Sequence, residues 1–215
     1  MTDRATLLWI HGGEWRARDH EDGAALAPLG LRLVAARYRF VDEARWPAQL
    51  DDVRAAARSA RRAGGGLPLL VGGDSAGATL ALHLALRGVD RPGDVTAGLA
   101  YWGAVDPLAD DWRRLRADDD PWAGLLGHPP APGDPATVDS TVTTHLGGGT
   151  PLLLVHGRDD RSVPASQTLA LTEALLAAGH PVHTWITHGG HAPELSRPDL
   201  LAVTAAFLDT VLPPG

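Results

Sequence analysis

One segment, residues 67–84, restricts the possible folds of this chain more than any other. The apolar residues 67–71 predict a buried strand and residues 79–84 predict a helix, and between them stands Gly-Asp-Ser-Ala-Gly at 73–77. A sharp turn between a strand and a helix exposes the hydroxyl of Ser75 above the helix N-terminus, as the G-x-S-x-G pattern of serine nucleophiles requires. The alternative is a glycine-rich turn in which Ser75 only caps the helix.

A second glycine-rich loop follows the first predicted strand, residues 6–10. It reads H-G-G-E-W at residues 11–15, and its glycines would let backbone N–H groups approach a reacting carbonyl and form an oxyanion hole. The loop lies about 60 residues before Ser75, which leaves room for one more strand and helix. A plain Gly-Gly turn at the end of a strand is the alternative.

Two later loops offer an acid and a base. The predicted strand near 151–156 ends in a polar loop with Asp159 and Asp160. Either carboxylate could orient a histidine, while the other caps the next helix. His191 follows the predicted strand near 181–186 and completes the chain order serine, aspartate, histidine. We expect His156, at the end of its strand, to serve in packing.

Together these motifs resemble the α/β-hydrolase fold over nearly the whole chain. Within that fold they resemble the small serine esterases with an H-G-G-x-W loop, which include hormone-sensitive-lipase-like, kynurenine-formamidase-like and feruloyl-esterase-like enzymes. The resemblance implies a catalytic triad of Ser75, His191 and Asp160, because the family pattern H-G-x-x-D-x-x-V-P selects Asp160 and leaves Asp159 outside. It implies acyl-enzyme chemistry that needs no cofactor.

Around this triad we predict two further groups of site residues. The donors of the oxyanion hole are the backbone N–H groups of Gly13, Glu14 and Ala76. The substrate-binding side chains are those of Trp15, Asp74 and Trp102.

The sequence departs from the family pattern in three places, one of which is Ala78, where the lipase-like branch often has a further glycine. Glu14 stands where glycine is frequent, and a carboxylate facing the oxyanion would oppose the developing charge. We therefore predict that its side chain points away and pairs with an arginine or lines the acyl or acceptor pocket, where it would favour a substrate with an amine. About ten residues precede the H-G-G loop where the family carries one or two strands, so we expect a sheet truncated at the N-terminus.

Composition narrows the chemistry further. The chain has no Cys and no Lys, which excludes thiol nucleophiles, disulfides, a Ser–Lys dyad and Schiff-base chemistry. Its formal net charge of −7 argues against nucleic acid as a partner. We expect no metal site, because the histidines show no zinc-binding spacing. No apolar run approaches a membrane span and no secretory signal opens the sequence, so we expect a cytoplasmic protein without a membrane partner.

Strands alternate with helices along the chain, which predicts a mostly parallel sheet of about six strands with helices on both faces. We treat residues 1–215 as a single α/β-hydrolase domain. Strands are predicted near 6–10, 31–37, 67–72, 96–102, 151–156 and 181–186, and helices near 20–28, 48–63, 76–87, 165–178 and 198–211.

Residues 106–149 break this alternation with acidic pairs, a proline-rich run and three consecutive glycines. Such a stretch is either a lid over the active site or a surface loop. Trp112, Trp122 and the pair Leu125-Leu126 would form the apolar underside of a lid.

Three functions remain open at this point. The first is a serine hydrolase acting on a small ester or aryl amide. The second is an acyltransferase or thioesterase-like enzyme of a biosynthetic pathway that passes the acyl group to an amine, alcohol or thiol. The third is a non-catalytic ligand-binding protein. The partners considered are a small-molecule acyl substrate, a second copy in a homodimer and, for a transferase, a carrier protein or peptide as acyl donor or acceptor.

Overall fold

The apolar strands assemble into one six-stranded parallel sheet in the computed structural model of the chain, which describes residues 3–19 and 23–213. The order across the sheet is β2-β1-β3-β4-β5-β6, and every neighbouring pair is parallel. The predicted fold class is confirmed. The strands are β1 (Ala5–Ile10), β2 (Leu31–Ala35), β3 (Leu69–Asp74), β4 (Ala97–Tyr101), β5 (Leu152–Gly157) and β6 (Val182–Thr187).

Helices connect these strands. The α-helices of the described residues are α1 (Ala48–Ala63), α2 (Ser75–Arg87), α3 (Asp110–Leu115), α4 (Pro121–Leu126), α5 (Pro135–Ser140), α6 (Ala165–Ala177) and α7 (Pro198–Val211). Two 3₁₀ helices are present as well, Ala24–Leu29 and Val142–His145. No helix in the described part of the chain has the length and apolar character needed to cross a bilayer.

The sheet is buried on both faces, because successive side chains of a strand point to opposite sides. On β1, Leu8 and Ile10 join the core cluster that contains residues of α1, α2 and α6. Leu7 and Trp9 join the opposite cluster, with residues of α7 and the first 3₁₀ helix. This double burial explains why the central strands appear in the sequence as continuous apolar runs.

The helix predicted at 20–28 is different from the one observed. Residues 20–22 lie outside the described residues, and the observed element is the 3₁₀ helix Ala24–Leu29. Pro28 lies inside it and lacks the N–H that an α-helical bond would need. Glycines in left-handed conformation, Gly23 at φ 72° and Gly30 at φ 81°, bound the element and keep it to six residues.

Residues 106–149, which we call the connecting segment, contain α3, α4, α5 and the second 3₁₀ helix. Trp112 and Trp122 are buried in it, and their rings meet edge to face with centroids 5.5 Å apart. The indole N–H of Trp122 donates to Ser140 Oγ at 3.0 Å. The segment therefore packs through its own aromatic side chains onto the core.

The chain order of the strands determines where a ligand would bind. β1 lies between β2 and β3. The chain passes from β1 to β2 on one side and then crosses back to β3 on the other side of β1, so the direction of strand addition reverses there. In open parallel sheets, a crevice forms at such a switch point, beyond the carboxyl ends of the strands. The H-G-G loop follows β1, Ser75 follows β3, and the loops of Asp160 and His191 follow β5 and β6.

Candidate active site

Ser75 occupies a strained turn between β3 and α2. Its φ is 49°, in the left-handed region that side chains other than glycine rarely adopt. The non-glycine residues with positive φ in the described structure all lie on loops at this edge of the sheet: Glu14, Trp15, Ser75, Trp102 and Ala192. Backbone strain of this kind clusters at functional sites.

The structure brings Ser75, His191 and Asp160 together in one hydrogen-bonded chain. Ser75 Oγ lies 3.0 Å from Nε2 of His191, and Nδ1 of His191 lies 2.7 Å from Oδ2 of Asp160. Because a carboxylate only accepts, Nδ1 carries the proton and Nε2 is left to accept from the serine hydroxyl. The arrangement can therefore deprotonate the serine as it attacks.

Asp160 is a fully buried carboxylate with a complete set of donors. Its Oδ1 accepts from the backbone N–H groups of Ser162 at 2.8 Å and Val163 at 2.9 Å, and its Oδ2 faces His191. Burial would raise the pKa of Asp160, but hydrogen bonds from His156, His191 and the backbone hold that pKa well below its ordinary value. The carboxylate thus stays ionised beside His191 at neutral pH.

His156 contacts the same carboxylate, which the sequence analysis did not foresee. Its side chain is fully buried, and its Nε2 lies 3.2 Å from Oδ2 of Asp160. The sequence places His156 at a strand end, where packing was the expected role. The two residues stand four apart and both belong to the H-G-x-x-D-x-x-V-P pattern, so this spacing was the signal from which the contact could have been inferred.

The H-G-G loop is tied to the serine turn at two points. The N–H of Gly12 donates to Oδ1 of Asp74 at 3.0 Å, and the indole N–H of Trp15 donates to the carbonyl oxygen of Ala76 at 3.1 Å. Both side chains are buried and also line the cavity beside Ser75. They therefore fix the spacing between the two loops as well as bordering the ligand space.

Backbone donors are available where an oxyanion would form. Ala76 lies in the first turn of α2, where backbone N–H groups have no intrahelical acceptor. Within the described part of the chain, the N–H groups of Gly13 and Glu14 donate to no other group. All three residues line the same cavity as Ser75.

The side chain of Glu14 is paired with two arginines. It accepts from Arg116 of the connecting segment and lies 3.4 Å from NH1 of Arg16. Arg16 in turn forms a bidentate pair with Asp119, with both N···O distances at 2.8 Å. Ion pairs thus join the H-G-G loop to the connecting segment, and the two carboxylates of Glu14 and Asp119 are matched by the guanidinium groups of Arg16 and Arg116.

A cavity of about 250 Å³ lies over Ser75. Its walls come from the H-G-G loop, the serine turn, the connecting segment and the loops after β4, β5 and β6. The residues that line it are Gly13, Glu14, Trp15, Asp19, Asp74, Ser75, Ala76, Ala104, Trp112, Arg116, Pro121, Ser162, Val163, His191 and Ala192.

Trp102 is not among these lining residues, which corrects the prediction that it binds substrate. Its side chain is 1% exposed and belongs to the core cluster on the α7 face of the sheet. The physical reason is the backbone of Trp102, which directly follows β4. Its φ is 44°, and its N–H donates to the carbonyl oxygen of Val155 on β5. This backbone geometry turns the ring towards Tyr101. The centroids of the Trp102 and His191 rings lie 6.4 Å apart.

The described residues contain no group of three or more His, Asp or Glu side chains arranged to hold a metal ion. His183 lies on β6 with its ring against Phe207. The chemistry that this geometry offers is nucleophilic attack by Ser75, with proton transfer through His191.

Comparisons with known proteins show which family and fold this chain shares. The family model described as BD-FAE matches residues 2–175. An acetyl-hydrolase from Streptomyces hygroscopicus is 31% identical over 99% of this chain and 78% of its own length. A versiconal hemiacetal acetate esterase from Aspergillus parasiticus is 37% identical over 89 residues, which are 39% of this chain but only 28% of that esterase. A solved truncated carbohydrate esterase from gut microbiota has a TM-score of 0.84 at 20% identity, over 98% of this chain and 86% of that one.

Proposed function

This chain belongs to the BD-FAE family of α/β-hydrolase esterases, and on that basis we propose that it is a serine esterase that hydrolyses short acyl esters. Ser75 is the nucleophile, His191 the general acid and base, and Asp160 the group that orients the imidazole. The observation that carries the proposal is the continuous chain of contacts from Ser75 Oγ through His191 to Asp160, at 3.0 Å and 2.7 Å.

The reaction follows from these contacts in two displacement steps. Ser75 Oγ attacks the acyl carbon while its proton passes to Nε2 of His191, and the carbonyl electron pair moves onto oxygen. The N–H groups of Ala76, Gly13 and Glu14 hold that oxyanion, and one such donor contributes about 3–4 kcal/mol to transition-state stabilisation. Collapse expels the alcohol, which takes the proton from His191. Water then attacks the acyl-enzyme by the same route and releases the acid.

Two features favour a short acyl group. The cavity of about 250 Å³ must hold both the acyl and the alcohol parts of an ester, so little space remains for a long chain. Two relatives carry acetyl chemistry in their names, an acetyl-hydrolase and an acetate esterase. We therefore propose acetyl esters, or esters of similar length, as substrates.

The connecting segment acts as the lid of this cavity in our proposal. Trp112, Arg116 and Pro121 from the segment form part of the cavity wall. The His191 side chain nevertheless remains 23% exposed, so water can reach the acyl-enzyme. Hydrolysis should therefore exceed transfer of the acyl group to an alcohol, amine or thiol.

The experiment that tests the proposal measures hydrolysis of p-nitrophenyl acetate, butyrate, octanoate and decanoate by the wild type and by Ser75→Ala. We expect the highest kcat/KM with the two short esters. Ser75→Ala should lower kcat by several orders of magnitude with the fold intact, because the substitution removes only one oxygen. Ser59→Ala, at an exposed serine of α1, is the matched control and should behave as wild type.

Covalent labelling and added acceptors complete this test. A fluorophosphonate probe should modify Ser75 alone, and label on Ser59, Ser140, Ser162 or Ser166 instead would refute the assignment of the nucleophile. Product analysis with added alcohol, amine or thiol measures how the acyl-enzyme partitions. The wild type would be a transferase if the probe modified Ser75 but esters were consumed only with an added alcohol, amine or thiol. Hydrolysis would then be the wrong function.

A further inference from the structure

His156, the penultimate residue of β5, has no part in the mechanism above, yet both of its ring nitrogens are engaged. Nδ1 lies 2.7 Å from Thr168 Oγ1 on α6. Nε2 lies 3.0 Å from the carbonyl oxygen of Val163 and 3.2 Å from Oδ2 of Asp160. The side chains of His156 and Asp160 are both 0% exposed. A second imidazole is thus buried directly against the carboxylate that contacts His191.

The neighbours of His156 determine which nitrogen carries its proton. The Val163 carbonyl and the Asp160 carboxylate can only accept hydrogen bonds, so Nε2 must be the donor. The hydroxyl of Thr168 can donate, and in the neutral ring it pairs with the lone pair of Nδ1. His191 has the opposite arrangement, because its Nδ1 donates to Asp160. Nε2–H of His156, which also hydrogen-bonds to the Val163 carbonyl, and Nδ1–H of His191 therefore lie 3.2 Å and 2.7 Å from the same oxygen, Oδ2 of Asp160.

From this arrangement we propose that His156 is a positioning residue: its Nε2–H holds Oδ2 of Asp160 in place and moderates how strongly that oxygen stabilises the protonated form of His191. The inference rests on the proposed function, since it concerns the relay that serves Ser75. It extends the hydrogen-bonded chain to Thr168, His156, Asp160, His191 and Ser75.

The requirement for His156 follows from the burial of Asp160. A buried carboxylate is costly unless its oxygens are satisfied by donors. Backbone N–H groups satisfy Oδ1, whereas Oδ2 depends on the two histidines. Without His156, the only donor to Oδ2 is His191. During turnover, that same imidazole must also take up and release the proton of Ser75.

A pH profile separates positioning from simple packing. His191 accepts the serine proton only when its Nε2 is unprotonated, so kcat/KM falls on the acid side of the profile. Loss of the His156 donor makes Asp160 a stronger acceptor for His191, which moves this acid limb to higher pH. The other charged groups around His191 stay unchanged in the variants: Glu14, Asp19, Asp74 and Arg116 in the cavity, and His188 with Arg197 beside its loop.

The test compares His156→Leu with His156→Gln. Leucine keeps much of the bulk but has no donor, whereas the glutamine amide can place an N–H near the position of Nε2. We expect His156→Leu to lower kcat/KM by about ten- to hundredfold, the range for a hydrogen bond to a charged group, and to shift the acid limb upward. His156→Gln should recover most of both properties.

Two further comparisons accompany this pair. Thr168→Val removes the hydroxyl that fixes the His156 tautomer, and should cause a smaller loss in the same direction; Thr168→Ser should match wild type. His180→Leu is the matched control, because His180 is also buried but contacts the Thr150 carbonyl at the other end of β5. It should leave kcat/KM unchanged. The Thr168 pair decides the question if His156→Leu does not fold.

Long-range ¹H–¹⁵N NMR of the wild type tests the inference without turnover. We expect Nε2 of His156 to be protonated, and the Nδ1 proton resonance of His191 to move in His156→Leu and return in His156→Gln. A protein that hydrolyses no ester but shows these spectra would contradict the proposed function alone. An unprotonated Nε2 in His156 would overturn the positioning role. So would an acid limb of kcat/KM that does not move to higher pH in His156→Leu. An equal shift of the acid limb in His156→Gln would overturn it as well.

Discussion

Asp159 and Asp160 are adjacent in the sequence but lie in different surroundings. The side chain of Asp159 is 58% exposed and contacts Arg158, which lowers its pKa, and it reaches the N–H of Gly189 at 3.3 Å. Asp160 is fully buried and contacts His191 directly. Two consecutive residues of a loop point in different directions, so only one of them can reach the imidazole.

These surroundings predict very different effects of removing each charge. Asp160→Asn should lower kcat by about 10⁴-fold, because an amide cannot hold His191 in the required tautomer. Asp159→Asn is the matched control and should change kcat by no more than a few-fold. Steady-state kinetics with p-nitrophenyl acetate measures both, and a larger loss in Asp159→Asn would mean that the wrong carboxylate has been assigned.

Glu14 combines a backbone role with a separate side-chain role. Its N–H lies at the oxyanion loop, while its carboxylate turns to Arg116 and Arg16. We expect Glu14→Gln to leave hydrolysis of neutral esters within about threefold, because the charge is already balanced away from the oxyanion. Amine-bearing esters should become poorer substrates, because Arg116 loses its carboxylate partner and repels them, whereas Arg16 keeps its pair with Asp119. Glu173→Gln, at an exposed position of α6, is the control.

A large gain in activity would contradict this placement of Glu14. If Glu14→Gln raised kcat for a neutral ester by a hundredfold, the lost charge would have opposed the transition state by about 2.7 kcal/mol. The carboxylate would then have to face the oxyanion rather than Arg116.

At the scale of elements, α2 connects catalysis to packing. It carries Ser75 at its N-terminus and crosses close to the end of β1. A Cβ atom on Gly77 would collide with the backbone carbonyl oxygens of Ile10 and His11. This close approach brings the serine turn against the oxyanion loop, and glycine is the residue that permits it.

Gly77→Ala should therefore destabilise the protein, although alanine is the better residue in most helices by about 1 kcal/mol. We expect the free energy of unfolding to fall by about 2–3 kcal/mol, since backbone atoms cannot rotate away from the added methyl group. Urea denaturation measures this change. Gly147→Ala is the control, because nothing lies within 4 Å of the added Cβ, and it should stay within about 0.5 kcal/mol of wild type. Equal free energies of unfolding for Gly77→Ala and Gly147→Ala would argue against the close approach of α2 to the end of β1.

At the scale of the whole molecule, the connecting segment is held to α2 by a buried histidine. Nε2 of His83 lies 3.0 Å from the carbonyl oxygen of Ser140, and its ring packs 5.0 Å from that of Trp46. Trp46 donates in turn to Asp139 at 2.8 Å. Burial lowers the pKa of His83 to about 3, because protonation would place a charge in the core.

This depressed pKa makes stability depend on pH. Between pH 6.5 and 3 the unfolded chain binds a proton at His83 that the folded protein does not, so stability falls as pH falls through this window. At pH 5 the loss from this group is about 2 kcal/mol. Urea unfolding at pH 7 and pH 5 measures how much the free energy of unfolding falls between these pH values. We expect this fall to be smaller in His83→Leu than in the wild type by about 2 kcal/mol. His128→Gln, at an exposed histidine, should retain the wild-type dependence, and an unchanged dependence in His83→Leu would refute the prediction.

Local patterns in the sequence were enough to define most elements of this protein. The helices α1 at 48–63 and α7 at 198–211 begin and end where predicted, because periodicity, capping and proline act over only a few residues. The serine turn and the loops after β1, β5 and β6 were located in the same way. The 3₁₀ helix at Ala24–Leu29 departed from its predicted bounds where glycine and proline overrode the apolar pattern.

Other contacts between side chains were decided only by the tertiary structure. Glu14 pairs with Arg116, 102 residues later. Trp102 turned towards the α7 face instead of the cavity. Contacts of this kind depend on the paths of loops and on the packing of both sheet faces at once, and no local sequence pattern encodes them. The sequence therefore determined which chemical groups stand at the sheet edge, and the fold determined how they are oriented towards one another.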